Sequence, residues 1–108
     1  MITLDTPVNF DDIALAASFF PEISPPPQDQ FWRDTARVLL EDVLSVVSTD
    51  ASEMQTWRQV RKIACEITAA DLFDVLSLHG MRSKYYFDEY SAAGASIRVM
   101  LANLLPRE

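Results

Sequence analysis

The chain has little of what most catalytic sites are built from. Among its 108 residues there is one cysteine, Cys65, and one histidine, His79. A single cysteine excludes an internal disulfide, and the reducing cytoplasm is the matching compartment. Glycine is nearly absent. Gly80 and Gly94 stand alone in helical context, so no glycine-rich loop is available to cradle a phosphate. No run of 18 apolar residues occurs, so no membrane span is expected. The opening stretch MITLDTPVNFDD has no basic region followed by an apolar core and does not read as a signal peptide. Basic residues are also few, nine against sixteen acidic, for a formal charge of −7. Phosphate contacts depend on Lys and Arg, so a chain this acidic is a poor generic nucleic-acid binder.

What is present points to helices. Apolar residues make up 49% of the chain, enough for one real core at this size. The prolines (7, 21, 25, 26, 27 and 106) fall almost wholly outside the periodic stretches, as expected of stops between helices. No internal repeat and no alternating strand pattern is visible. The spacing predicts a short helix over Phe10–Phe20, with Asn9 as N-cap and Ile13, Ala16, Ala17 and Phe20 inward. PEISPPP, residues 21–27, reads as a stiff extended connector; a proline-rich ligand for an aromatic groove is the alternative. Asp29–Ser48 is the long central strut. Its stripe is Trp32, Ala36, Leu39, Leu40, Val43, Leu44 and Val47. A capping box, Thr56-x-x-Gln59, opens a third helix from Trp57 to Cys65 or Ile67, with Trp57, Val60, Ala64 and Ile67 inward. Thr68 caps a fourth, with Leu72, Val75, Leu76 and His79 on one stripe and Gly80 as its C′ residue. The last helix is expected from Ser83 to Leu105. Tyr86, Tyr90, Ala93, Gly94, Ile97, Leu101 and Leu104 form its stripe. Its small-residue segment Ser91–Ser96 should let the strut approach closely. The fold class is therefore all-α: residues 1–108 form a single compact bundle of about five helices, two long and three short.

Chemistry-bearing constellations are scarce. His79 and Cys65 have no metal-ligand spacing around them, and Cys65 reads as an inert buried thiol. The acidic pairs Asp11–Asp12, Glu41–Asp42 and Asp88–Glu89 point about 100° apart on a helix and do not converge as acid–base dyads. No catalytic residue, metal site or cofactor is expected. The charge is uneven, however. Residues 1–56 carry −8 and residues 57–108 carry +1. Arg58, Arg61, Lys62, Arg82 and Lys84 cluster in the second half and are the candidate contacts to a partner or to DNA; an ordinary solvated face is the alternative. Tyr85, beside the core-facing Tyr86, is a candidate interface aromatic.

Two stretches together resemble the all-α domain of type IV secretion coupling proteins, the TraD/TraG group of conjugation ATPases. Phe31–Val47, FWRDTARVLLEDVLSVV, is similar to that family's FW…A-R-x-L helix, which follows a Pro-containing loop. Ser91–Leu105, SAAGASIRVMLANLL, is similar to its last helix, with the SIR-x-x-L core at Ser96, Ile97, Arg98 and Leu101. TWRQVRKIA and DLFDVLSLHG match the helical hairpin between them, so the resemblance covers about residues 8–105. It implies an insertion excised from a RecA-like motor, whose phosphate-binding loop and acidic Walker B strand lie outside this sequence. It also implies substrate recognition in conjugative DNA transfer, with no catalysis in this fragment. The expected setting is a hexameric cytoplasmic ring, part of a protein anchored at the bacterial inner membrane, the domain itself making no direct membrane contact. The implied partners are a relaxase–relaxosome complex or secreted effector proteins, with DNA touched through a local basic face. Two rival readings stand beside it: a stand-alone acidic helical adaptor and a helical DNA-binding module.

Overall fold

The computed structural model describes residues 2–12, 15–20, 27–49, 55–86 and 92–107, and of residues 27–30, 85, 86 and 92 only the backbone. The fold is all-α, and among the described residues there is no strand, only an isolated bridge between Pro7 and Thr56. No helix among these residues is long and apolar enough to cross a membrane.

Helix α1 spans Pro27–Thr49. It begins two residues before the expected Asp29. The last proline of the triplet thus serves as the first helical residue, where its missing N–H is no loss and its fixed φ suits the helix. The rest of the connector, residues 21–26, lies outside the described residues. At about 34 Å, α1 is comparable in length to the longest dimension of the molecule, 38 Å. Ala36, Leu39, Leu40, Val43, Leu44 and Val47 are buried as their spacing predicts, while Trp32 is half-buried. Each buried leucine contributes about 1.5–3 kcal/mol relative to exposure. Asp34, Arg37, Glu41, Ser45 and Ser48 face solvent. The Arg37–Glu41 pair forms, at 3.9 Å on an exposed face, where it contributes little. Gln55 terminates α1: its amide donates to Val47 O at 3.1 Å and Ser48 O at 2.9 Å, satisfying carbonyls with no helical partner.

The first expected helix is not α-helical in its described part. Residues 9–12 and 15–20 form turns in which the N–H groups of Asp12, Leu15, Ser18, Phe19 and Phe20 reach three residues back, closing as a 3₁₀ turn over Ala17–Phe19. Local side-chain bonds compete with the helix here. Asn9 Oδ1 accepts from Asp11 N–H at 3.3 Å, and Ser18 Oγ donates to Leu15 O at 2.6 Å. Leu15, Ala16 and Phe20 are buried, whereas Ala17, expected inward, is exposed. Ile13 lies outside the described residues.

Helix α2 spans Trp57–Arg61 and continues without a break into a π-helical segment, Lys62–Glu66, that closes with Ile67 N–H on Lys62 O at 3.1 Å. The predicted capping box does not form. The Thr56 side chain makes no cap bond. The donors at the start of α2 go instead to the N-terminal strap: Trp57 N–H to Thr6 O at 3.2 Å and Arg58 N–H to Leu4 O at 2.7 Å. Backbone carbonyls from another part of the chain thus fill the capping role.

Helix α3, Ala69–Leu78, is capped as predicted. Thr68 Oγ1 accepts from Asp71 N–H at 3.1 Å. At its other end Gly80 takes φ +68°. Gly80 N–H reaches Ser77 O at 3.1 Å and Met81 N–H reaches Leu76 O at 2.8 Å, a Schellman motif. Leu72 and Leu76 are buried, Val75 is half-buried, and His79 is exposed at the C-cap rather than on the inward stripe. A Cβ at Gly80 would meet nothing within 4 Å. Gly80→Ala therefore carries backbone strain alone. The expected loss is about 1 kcal/mol, read as a thermal midpoint lower by about 4–8 °C.

The last helix, expected from Ser83, is not α-helical at its start. A 3₁₀ turn covers Arg82–Tyr86 and α4 covers Ala92–Leu104, with residues 87–91, including Tyr90, outside the described residues. Ser83 N–H reaches Asp42 Oδ2 on α1 at 3.4 Å, tying this turn to the strut. Helix α4 packs against α1 and against the π segment. Its Gly94, Ile97 and Leu101 are buried, and Leu105 just beyond it is buried too. The core is continuous, drawing fully buried side chains from α1, α2, the π segment, α3 and α4.

Candidate functional site

The strap lies across the start of α2. Besides the two bonds from α2 to its carbonyls, Val8 N–H donates to Gln55 O at 2.9 Å. The Thr3–Thr6 turn closes it locally, with Thr6 N–H on Thr3 O at 3.1 Å and Thr3 N–H on Thr6 Oγ1 at 2.9 Å. This placement creates an open groove of about 440 Å³ lined by Leu4, Arg58, Arg61, Lys62, Glu66 and Arg107. Four cations and one carboxylate face one concavity on a strongly acidic chain.

Three of the five basic residues singled out in the sequence meet here, and they do different things. Arg58 is half-exposed and forms an ion pair with Asp5: its Nε and Nη2 donate to Asp5 Oδ1 at 3.2 and 3.1 Å. Arg61 reaches across to the end of α4 and donates through Nη1 to Ala102 O at 3.0 Å and Pro106 O at 3.4 Å. Lys62 is exposed, four residues on from Arg58 and on the same helix face. Arg107, not singled out in the sequence, joins them because α4 returns its C-terminal end beside α2. Nothing local to Arg107 signals this.

Arg82 lines a different groove of about 350 Å³, with Phe31, Asp34, Thr35, Val38 and Ser83. Lys84 is half-buried on the same 3₁₀ turn as Arg82. The side chain of Tyr85 lies outside the described residues. Ser83 is 1% exposed and, among the described residues, its Oγ has no hydrogen-bond partner.

Arg98 is the counterpart of Arg61. From α4 it donates through Nε to Ala64 O at 2.9 Å and through Nη2 to Ile67 O, at the end of the π segment. Each arginine thus satisfies the C-terminal carbonyls of the helix facing it, where the dipole favours a cation. Cys65 lies half-buried close to both guanidinium groups. Burial pushes its thiol above the usual cysteine range, only partly opposed by Arg61 and Arg98. That direction disfavours the reactive thiolate. Among the described residues, no three His, Cys, Asp or Glu side chains are grouped as metal ligands.

The groove can hold anionic groups by charge and by the arginine fork. No protein-family model, curated protein or solved structure matches the chain, so the chemistry of this groove stands where a relative would.

Proposed function

We propose that this chain is a substrate-recruiting domain of the kind found in type IV secretion coupling ATPases, and that the groove between the strap, α2 and the C-terminal end takes an acidic segment of the cargo protein. The observation that carries this reading is the convergence of Arg58, Lys62 and Arg107 in one concavity of a chain with a formal charge of −7. Like charges lining a concave surface focus the field and raise the local concentration of counter-charged groups. The similarity of Phe31–Val47 and Ser91–Leu105 to that family's helices supports the setting: a cytoplasmic ring below the bacterial inner membrane, with catalysis supplied by the motor domain. A protein cargo, a relaxase or a secreted effector, fits better than a DNA duplex. Arg61 is engaged with carbonyls and Arg82 lines a separate groove, so few cations are left to track a phosphate backbone.

The test is capture of the relaxase encoded beside the full-length gene, compared between the wild-type chain and a Lys62→Gln/Arg107→Gln double variant. Capture that falls several-fold in the double variant, and that weakens as salt is raised, is expected. Capture unchanged by the double substitution, with conjugative transfer unaffected by removing residues 1–108 from the full-length protein, overturns the reading.

A further inference from the structure

Asp5 stands between Leu4 and Thr6, the two residues whose carbonyls receive the N–H groups of Arg58 and Trp57. The strap is therefore held by its backbone, and the position of Asp5 is set whether or not its side chain is charged. Its side chain is 82% exposed, yet one oxygen accepts both donors of the Arg58 fork. An ion pair this exposed adds little to the fold. What it does is occupy the bidentate donor of the groove with a carboxylate. Lys62 follows one helical turn later, about 6 Å away between Cβ atoms. Glu66 is one turn further again and bounds the cationic stretch with a negative charge.

We infer that Asp5 is an intramolecular competitor for the groove. An acidic partner binds with one carboxylate displacing Asp5 from Arg58 and a second, about 6 Å away, pairing with Lys62. The partner class is a peptide segment with two carboxylates at that spacing, as on successive turns of one helix. This rests on the reading that the groove is the recruitment site, and it adds the ligand pattern and a built-in threshold: only a segment that replaces Asp5 gains the arginine fork.

Fluorescence anisotropy with labelled hexaglutamate tests this on the whole chain, with hexaglutamine and single-stranded oligothymidine as further probes. Asp5→Asn is expected to tighten hexaglutamate binding about two- to fivefold, with an unchanged thermal midpoint. The gain should vanish in Asp5→Asn/Arg58→Gln, and Asp74→Asn, an equal charge change on α3, should not reproduce it. If Lys62→Gln weakens binding but Asp5→Asn does nothing, or Asp74→Asn matches it, the competitor role is overturned while the groove reading stands. If hexaglutamate binds no form of the chain, both are overturned. Tighter binding of oligothymidine than of hexaglutamate overturns the peptide class in favour of a single strand.

Discussion

Trp57→Ala is expected to destabilise the domain by about 3–5 kcal/mol, the range for truncating a buried tryptophan. Trp57 is 1% exposed and is the largest fully buried side chain. Its ring meets Phe19 edge to face, with centroids 4.9 Å apart and planes at 61°, a geometry that adds about 0.5–1.5 kcal/mol beyond area. It also stands where three segments converge. Its backbone N–H is bonded to the strap, Phe19 brings the 3₁₀ turn, and Val60 and Ala64 continue the buried face of the helix. The cavity left by alanine would lie against Phe19, whose ring loses its edge-to-face partner. Against a typical total stability of about 5–15 kcal/mol, this loss removes a large fraction, and the thermal midpoint should fall by upwards of ~15 °C. Urea unfolding should show a lower midpoint at constant m. Trp57→Phe keeps most of the apolar area and should cost less than half as much. A Trp57→Ala loss under about 1 kcal/mol would mean that the strap and the first turns are not packed on α2. Acidic-peptide binding should weaken in Trp57→Ala and survive in Trp57→Phe, because Leu4 of the strap and Arg58 beside Trp57 both line the groove.

Arg98→Ala carries the second large effect, about 2–3 kcal/mol. The guanidinium donates to Ala64 O and Ile67 O, where the π segment ends and no further helical N–H is available. Removing it loses two charge-assisted bonds and leaves two partly buried carbonyls without donors. Arg98→Lys should recover little, since one ammonium on a flexible stem does not reproduce two donors in a fixed fork. Burial holds the Arg98 pKa below the ordinary arginine value, but an arginine remains charged across the physiological range. The loss should therefore be the same at pH 6 and pH 8. Arg61→Ala removes the reciprocal contact with Ala102 O and Pro106 O and should cost less, because one of its two bonds is long at 3.4 Å. Thermal unfolding of the two variants beside Lys62→Gln separates the roles within the groove. Arg61 should register in stability and Lys62 in binding. An Arg98→Ala protein as stable as wild type would show that water satisfies those carbonyls equally well.

The features legible in the sequence are those whose causes lie within about five residues. The α1 stripe from Ala36 to Val47 follows from helical spacing, and every position of it is buried. Thr68 caps α3 because Asp71 N–H is three residues away. Gly80 ends α3 because only glycine takes φ +68° without strain. Where sequence reading went astray, a distant partner replaced a local one. Thr56 and Gln59 have the right spacing for a capping box, yet Gln59 N–H bonds the Thr56 carbonyl, and the carbonyls of Thr6 and Leu4, some fifty residues earlier, take the neighbouring donors Trp57 N–H and Arg58 N–H. In the described part of the stretch, residues 10–12 and 15–20, the expected α-helix gave way to turns in which Asn9 and Ser18 make local side-chain bonds, with Phe19 and Phe20 packed onto the core. Arg107 entered the candidate site only because α4 ends beside α2.

Arg58 and Arg61 put the division most sharply. They are identical residues three positions apart, and the amino-acid sequence determined that both lie on one short helix, in the basic half of an acidic all-α chain. Only the tertiary structure decided that one forms a solvent-exposed pair with Asp5 while the other clamps the end of α4. The reason is physical. Periodicity and caps are written in neighbouring residues, whereas the carbonyls or carboxylates that end up opposite a given arginine depend on how whole helices bury their apolar faces against one another.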